Sequence, residues 1–290
     1  MFTSTYWNSM VSQTQLTGQD LFGRTFDMDE QSLEVMAARL EARGKHAFFS
    51  QVIDDYMNAL ALSRDETILD LGCGTGVVAR TIARRGDVKG RIVAMDISPY
   101  LIGLGKRFAS EEGVAGRIDF LTGDAHSVIE PEGKFDVVVM HTLVSHVVDP
   151  AAVIEEARRL LRPQGRIVIF DGDFASRVCA TDAPDGGAEM DRLILRMTAQ
   201  STVMRQMPRL LAKGGFELAW SRGYVAADIG RADFFSSILP AFRVLLPKAG
   251  VMPEADANEF VDKLELASRN NEFFASCNFY TYMARRLDRQ

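Results

Sequence analysis

The sequence predicts an α/β protein built on a doubly wound, mostly parallel sheet, with helices before the sheet and a helical segment inserted late in the chain. Three observations predict it. Between about Thr67 and Asp173, short apolar runs alternate with helical patterns. Those runs lack the polar alternation of half-exposed strands, as strands covered on both faces do. Each strand is followed by one helix-sized segment, which implies right-handed crossovers and parallel neighbours.

The elements follow in order. Residues 31–62 read as helical with a break near Gly44, and Phe48, Val52, Ile53, Tyr56 and Leu60 form the apolar stripe of the second piece. Strands are expected at 67–71, 91–96, 118–121, 135–141 and 166–171. A helix over 77–85 follows the first. Ser98-Pro99 and Asp149-Pro150 each set an N-capping side chain before a proline at the first helical position. In the helix after Pro150, Val153, Ala157, Leu160 and Leu161 share a face, and Pro163 with Gly165 ends it. Residues 204–213 read as a helix stopped by Gly214-Gly215, and 216–225 and 274–285 as two strands. The segment 228–272 between those strands is too long for a hairpin loop and has its own helical period in Phe234, Ile238, Leu239 and Phe242, then Phe260, Leu264 and Ala267. The expected organisation is therefore a helical lid segment over 1–62, a core over 63–227, a helical cap over 228–272 and a final core strand within 273–290.

With 290 residues, 47% of them apolar, the chain can bury a substantial core. A formal net charge of −6 disfavours nucleic acid and anionic lipid as partners. Cys73, Cys179 and Cys277 are too widely spaced for a disulfide framework or a paired zinc motif, and fit a reducing, cytoplasmic setting. Residues 1–10 lack the basic and apolar regions of a signal peptide, and no apolar run reaches membrane-spanning length, so no membrane association is expected. The sequence fixes no oligomeric state.

The chemistry concentrates in Asp70-Leu71-Gly72-Cys73-Gly74-Thr75-Gly76, set between an apolar strand and a helix. Glycines there permit a tight turn and close approach of backbone to a ligand, beside the free N–H groups of a new helix. The second strand ends in Asp96, placed either to accept hydrogen bonds from ribose hydroxyls or to serve as a helix-start acid. The third ends at Gly123-Asp124-Ala125. In an open parallel sheet all these strand ends meet at one crevice.

With Phe135-Asp136-Val137-Val138-Val139 and Leu161-Arg162-Pro163-Gln164-Gly165-Arg166, these motifs make residues 67–173 resemble the class I S-adenosylmethionine (SAM) dependent methyltransferases. Within that class the chain is most similar to the small-molecule branch that includes the quinone-biosynthesis C-methyltransferases. The resemblance implies a seven-stranded Rossmann-like sheet whose last strand is antiparallel, SAM as cofactor with S-adenosylhomocysteine as product, and a small organic acceptor. It implies that Gly72, Cys73, Gly74 and Gly76 approach the amino-acid end of SAM, with Asp70 bonding through the turn or to the ligand amine. Asp96 would take the ribose hydroxyls, Ile97 would pack on the adenine, and Asp124 with Ala125 would meet its amino group. His141 would lie near the methionine moiety. Gln164 stands where the family more often has glycine.

Transfer from a sulfonium needs alignment, water exclusion and, for a protonated acceptor, removal of a proton. Of His46, His126, His141 and His146, the last two lie just past the fourth strand; His146 is the favoured acid/base with His141 second, and a hydrogen-bonded structural histidine is the alternative that carries more weight. Asp171 and Asp173 end the fifth strand and are further candidates; no metal is expected. Arg24 and Arg43 either reach an anionic group or are solvated surface cations, the reading preferred here. Phe234, Phe235 and Phe242 either line an apolar acceptor pocket or belong to plain core. The inserted segment, residues 31–62 and the aromatic stretch with Tyr6 and Trp7 are expected to roof the site. Other readings of this fold are a non-methylating SAM-fold cyclase or isomerase, a cofactor-free binding module and an NAD(P)-dependent oxidoreductase. The Gly-x-Gly-x-Gly spacing disfavours the oxidoreductase.

Overall fold

The structure, a computed structural model, describes residues 20–288. A seven-stranded sheet in the order β3-β2-β1-β4-β5-β7-β6 organises them. The strands are β1 (Ile68–Leu71), β2 (Ile92–Asp96), β3 (Ile118–Thr122), β4 (Phe135–His141), β5 (Leu161–Cys179), β6 (Phe216–Gly230) and β7 (Phe273–Arg286). The first five run parallel, and β7 lies antiparallel between β5 and β6. The four expected strands over 67–141 agree to within one residue. Strand order reverses at β1, whose neighbours are β2 and β4, so the crevice at its carboxyl end is the topological switch point.

Helices α1 (Glu30–Lys45) and α2 (Ala47–Leu60) precede the sheet. They meet at His46, two residues beyond the expected break, because the His46 Nδ1 accepts from the Phe48 N–H at 3.1 Å and caps α2 itself. Helices α3 (Val77–Arg84), α4 (Pro99–Glu111) and α5 (Pro150–Leu160) are the crossovers. The expected caps form, with Ser98 accepting from Leu101 N–H and Asp149 from Ala151 and Ala152 N–H. Successive residues of β1 serve opposite sides: Ile68 packs with the α1–α4 layer, Leu69 and Leu71 with the α5 layer. All three are 0% exposed. Burying each such side chain is worth about 1.5–3 kcal/mol.

Three features differ from the sequence reading. Helix α6 (Ala188–Leu195), before α7 (Val203–Lys213), was not expected. β5 continues past Asp171 to Cys179 and β6 past Val225 to Gly230, because the long antiparallel β7 supplies both with a ladder beyond the parallel sheet. In β5 that ladder is broken by a bulge: Asp173 pairs Asn278 and Val178 pairs Ser276, leaving Phe174, Ala175, Ser176 and Arg177 opposite Cys277 alone. Gln164 has φ +62°, the left-handed conformation that explains why glycine is common at such a turn.

Between β6 and β7 lie α8 (Ile238–Lys248) and α9 (Glu254–Arg269). Leu239, Phe242, Leu245 and Leu246 of α8 and Phe260, Val261 and Leu264 of α9 are buried in the same core as α1 and α2. Helix α8 packs on α1, and Lys248 Nζ bonds Asp29, the N-cap of α1, at 2.5 Å. Tyr6 and Trp7 lie outside the described residues. Among the described residues no helix is long and apolar enough to cross a membrane.

Candidate functional site

The turn after β1 has Gly72, Gly74 and Gly76 all at positive φ (73°, 56° and 77°). Side chains there would be strained and also obstructed: a Cβ on Gly72 would sit 2.6 Å from Leu143 Cδ1. Gly72 and Cys73 donate to the Met95 carbonyl, tying the turn to β2. Gly76 then serves as N-cap of α3.

Asp70 lies beneath the turn, 1% exposed. Its Oδ2 accepts from the Ala79 N–H of α3 at 3.0 Å, while its Oδ1 is buried without a hydrogen-bond partner. Burial, helped by the charge of Asp96, pushes its carboxyl up to about 7. Asp96 at the tip of β2 accepts from Gly74 N–H at 2.8 Å and Ser98 N–H at 2.9 Å. It is thus a helix-start acid and a wall of the crevice at once, and a carboxylate has acceptor capacity beyond two bonds. Burial raises its pKa as well. Burial and these two carboxylates push the Cys73 thiol well above its usual range, which favours the neutral thiol. Thr75 Oγ1 donates to Glu41 of α1 at 2.6 Å, and Glu41 also pairs with the buried Arg80 of α3 at 2.5 Å, so α1 is clamped to the turn.

Asp70, Gly72, Cys73, Gly74 and Asp96 line an open cavity of about 1130 Å³, solvent-exposed space included, and His141, Thr142, His146 and Phe174 also line it. Ile97, Asp124 and Ala125 do not line it. Asp124 turns back on its own loop, where its Oδ1 accepts from the His126 N–H at 2.9 Å and pairs with the His126 ring at 2.8 Å. His46 lies 3.4 Å from Asp233, also away from the cavity walls.

The two candidate histidines differ. His141 shares a 3.2 Å hydrogen bond between its Nδ1 and the Tyr56 hydroxyl, packs on Phe170 and is held neutral by burial and by Arg43. His146 Nδ1 meets both oxygens of Asp20, at 3.1 and 2.9 Å. Burial opposes charge on His146, but attraction and hydrogen bonding from Asp20 outweigh it and raise its pKa. Asp20 also accepts from Phe22, Gly23 and Ala199 N–H, which fixes the carboxylate. With Nδ1 so engaged, Nε2 is the ring nitrogen left for a ligand. Asp171 is taken by the N–H groups of Ser145 and Gly172, and Asp173 by Arg205 Nε at 3.0 and 2.9 Å. Among the described residues no cluster of three or more His, Cys, Asp or Glu is arranged to hold a metal ion.

Arg43, read from sequence as a solvated cation, is half-buried at the cavity. Its Nη2 donates to Thr142 Oγ1 at 2.9 Å and its guanidinium lies 4.6 Å from the Phe49 ring centre. The cause is the packing of α1 over the turn. Arg24 is exposed and pairs with Asp27 at 2.8 Å. Phe234, Phe235 and Phe242 belong to the core and also line the cavity system. Sequence reasoning missed Asp20, Arg39, Thr142, Phe174 and Arg177. Thr142, at φ +59°, is a non-glycine residue in a conformation that costs about 1–3 kcal/mol, a feature that clusters at functional sites. One signal was available for Arg39: like charges at i and i+4, here with Arg43, disfavour a helix.

Residues 68–165 match the family model of a methyltransferase domain. The chain is 29% identical over 241 residues to an uncharacterized 37.1 kDa protein in transposon TN4556 of Streptomyces fradiae, covering 79% of this chain and 65% of that protein. It is 34% identical over 102 residues to a ubiquinone biosynthesis O-methyltransferase of Aeromonas salmonicida, covering 35% of this chain and 41% of that one. The chain thus spans 41% to 65% of the length of these curated relatives. Among solved structures, geranyl diphosphate C-methyltransferase of Streptomyces coelicolor A3(2), in complex with Mg2+, geranyl diphosphate and S-adenosyl-L-homocysteine, superposes with a TM-score of 0.52 at 17% identity, covering 84% of this chain and 87% of that one. The [4+2]-cyclase SpnF superposes with a TM-score of 0.56 at 19% identity, covering 84% and 85%. At such identities these likenesses are of fold alone.

Proposed function

We propose that this chain, which belongs to the class I SAM-dependent methyltransferases and takes SAM as its cofactor, methylates a small organic acceptor held between the glycine turn and the His146–Asp20 pair. The observation that carries the proposal is a single cavity lined by two chemically distinct groups. One is Asp70, whose buried Oδ1 lacks a partner, and Asp96 beside a glycine cradle; the other is a histidine oriented by a carboxylate.

The residues fit the cofactor. A buried orphan oxygen is costly unless something donates to it, and the ammonium of SAM would do so at Asp70. Asp96 would accept from the ribose, and Gly72 and Gly74 would leave room for backbone approach. When bound, SAM supplies an electrophilic methyl group on a sulfonium. His146 Nε2 takes the proton that the acceptor nucleophile loses, while Asp20 fixes the ring and stabilises the imidazolium formed. Because Asp20 raises the His146 pKa, the basic form gains population as pH rises above the ordinary histidine range. His141, neutral and bonded to Tyr56, supports the wall and carries no proton through the reaction. Helices α1 and α8, the latter through Ile238 and Phe242, serve as a roof that excludes water.

Transfer of a radiolabelled methyl group from SAM to a panel of small metabolites, with calorimetry of SAM and S-adenosylhomocysteine beside NAD and NADP, tests the proposal. Label should reach an acceptor, and only SAM and its product should bind. Binding of SAM with product formed but unlabelled would favour a cyclase or isomerase; binding of NAD without SAM would overturn the proposal outright.

A further inference from the structure

Beside the crevice, and sharing part of its lining, lies a second, narrower pocket. Arg39, Arg43 and Arg177 line both spaces. Arg39 and Arg43 stand one turn apart on α1, and Arg177 comes from the β5 bulge, where Ser176 anchors the backbone by donating to the Asp173 carbonyl at 2.6 Å and accepting from Asn278 N–H at 2.9 Å.

Among the described residues these cations form no ion pair, and the charges of Asp171 near Arg43 and of Asp191 near Arg177 offset their burial only in part. Among the described residues neither Arg39 nor Arg177 makes a hydrogen bond or ion pair; Arg39 Nε, Arg177 Nε and one Arg177 Nη nitrogen are buried without a partner. Arg39 lies 5.7 Å from the Phe22 ring centre, and Arg43 has one hydrogen bond, to the neutral Thr142. Nearby carboxylates are engaged by other donors: Asp171 by Ser145 and Gly172, Asp173 by Arg205, and Asp191 by the Cys179 N–H at 3.0 Å. Burial, then repulsion from Arg43 and Arg177, lowers the pKa of Arg39. Such a group of half-buried like charges opposes folding, and a bound anion would relieve it. SAM is not that anion, since its sulfonium and ammonium outnumber its one carboxylate and its arrival adds positive charge. The rest of the lining is mostly apolar, with Phe174, Phe234 and Phe279 beside Val178, Ile238 and the thiols of Cys179 and Cys277.

Building on the methyl-transfer reading, we propose that the acceptor is an apolar molecule bearing a carboxylate or phosphate, its anion gripped by Arg39, Arg43 and Arg177 and its body packed on Phe174, Phe234 and Phe279. Guanidinium forks match the paired oxygens of either anion, and the aromatic faces accept a ring or hydrocarbon chain.

The test uses matched probes on the full chain, with and without saturating S-adenosylhomocysteine: phenylacetate against phenylacetamide, and octyl phosphate against octanol, by calorimetry. At least one anion should bind tenfold or more tightly than its neutral partner, and Arg177→Gln should remove that preference while leaving S-adenosylhomocysteine affinity unchanged. The pair showing the preference identifies carboxylate or phosphate. Equal binding within both pairs, no binding of either anion, or a preference that survives Arg177→Gln and Arg39→Gln would overturn the inference. A second readout needs no probe. Arg177→Met should raise the Tm of the ligand-free chain by removing an uncompensated cation, and a lower Tm would count against the inference. Loss of S-adenosylhomocysteine binding with the anion preference intact would instead refute the methyl-transfer reading.

Discussion

Asp70→Asn separates what the buried carboxylate does for the ligand from what it costs the fold. Asparagine keeps an acceptor for the Ala79 N–H and removes the ionisable group. In the folded chain the Asp70 carboxyl is raised from 3.8 to about 7. A folded pKa above the unfolded one means that the group favours folding at low pH, and that this contribution is lost as pH rises through about 7. At about 1.4 kcal/mol per unit, ionised Asp70 at pH 8 costs roughly 4 kcal/mol relative to its protonated form. An asparagine NH2 in place of the orphan oxygen costs about 1–3 kcal/mol. The variant should therefore be more stable than the parent at pH 8 by about 1–3 kcal/mol, seen as a Tm rise of roughly 2–4 °C per kcal/mol, and the gain should vanish toward pH 4. Function should move the other way. The variant loses a charged hydrogen bond to the cofactor ammonium, weakening SAM binding by about 1.5–3 kcal/mol. The parent should release about half a proton on binding SAM near pH 7, as the ammonium draws Asp70 into its ionised form. Melting curves across pH and calorimetry in buffers of different ionisation enthalpy read both. A variant less stable at pH 8, or binding heats independent of buffer, would refute the reasoning.

Three further outcomes are expected. Asp96→Ala should weaken SAM binding by about 1.5–3 kcal/mol in calorimetry, with far-UV circular dichroism unchanged, since it removes charged-group hydrogen bonds; unchanged affinity would leave Asp96 a helix-start acid only. Asp20→Asn should lower the pKa of His146, moving the acidic limb of the kcat/KM pH profile to lower pH while reducing kcat by tenfold or more as the ring loses its orienting anion, and an unmoved limb would remove His146 as the base. The stability that the raised His146 pKa confers is present below pH 6.5 and lost as pH rises through the folded value, so this variant should lose most stability on the acid side. Phe242→Ala should cost about 3–5 kcal/mol of stability and, in hydrogen exchange, abolish protection that SAM confers on residues 30–45 and 234–248 in the parent; no such protection in the parent would show that these helices are no roof.

Local pattern carried the central fold. Fully apolar strands such as β4 and capped helices such as α4 are specified by residues within a few positions of one another, and their bounds were legible. So was the glycine turn, because its residue types answer to backbone angles that it imposes itself. The His146–Asp20 pair was half legible. His146 stands near a strand end, but its partner Asp20 is 126 residues away in sequence, and no local feature joins them. The pocket beside the crevice was least legible. Arg177 and Phe174 reach it only because β7 extends β5 into a bulge, a consequence of long-range pairing that leaves no periodic trace. Arg43 was misread because an arginine on an amphipathic helix looks solvated until the surface that α1 covers is known.

The sheet order also dictates how the molecule must be made. β7 follows β6 in the chain yet lies between β5 and β6, so during synthesis both of its future neighbours emerge before it, β5 with one edge unpaired and β6, whose only sheet partner is β7, with both. Those edges carry long runs of free N–H and C=O groups, the feature that recruits foreign strands. A nascent chain halted before residue 273 should therefore be sticky toward its own copies, and the inserted helices α8 and α9 emerge in that interval. Pairing of such sequence-distant strands is slow, which makes the arrival of β7 the step at which a chaperone would matter most.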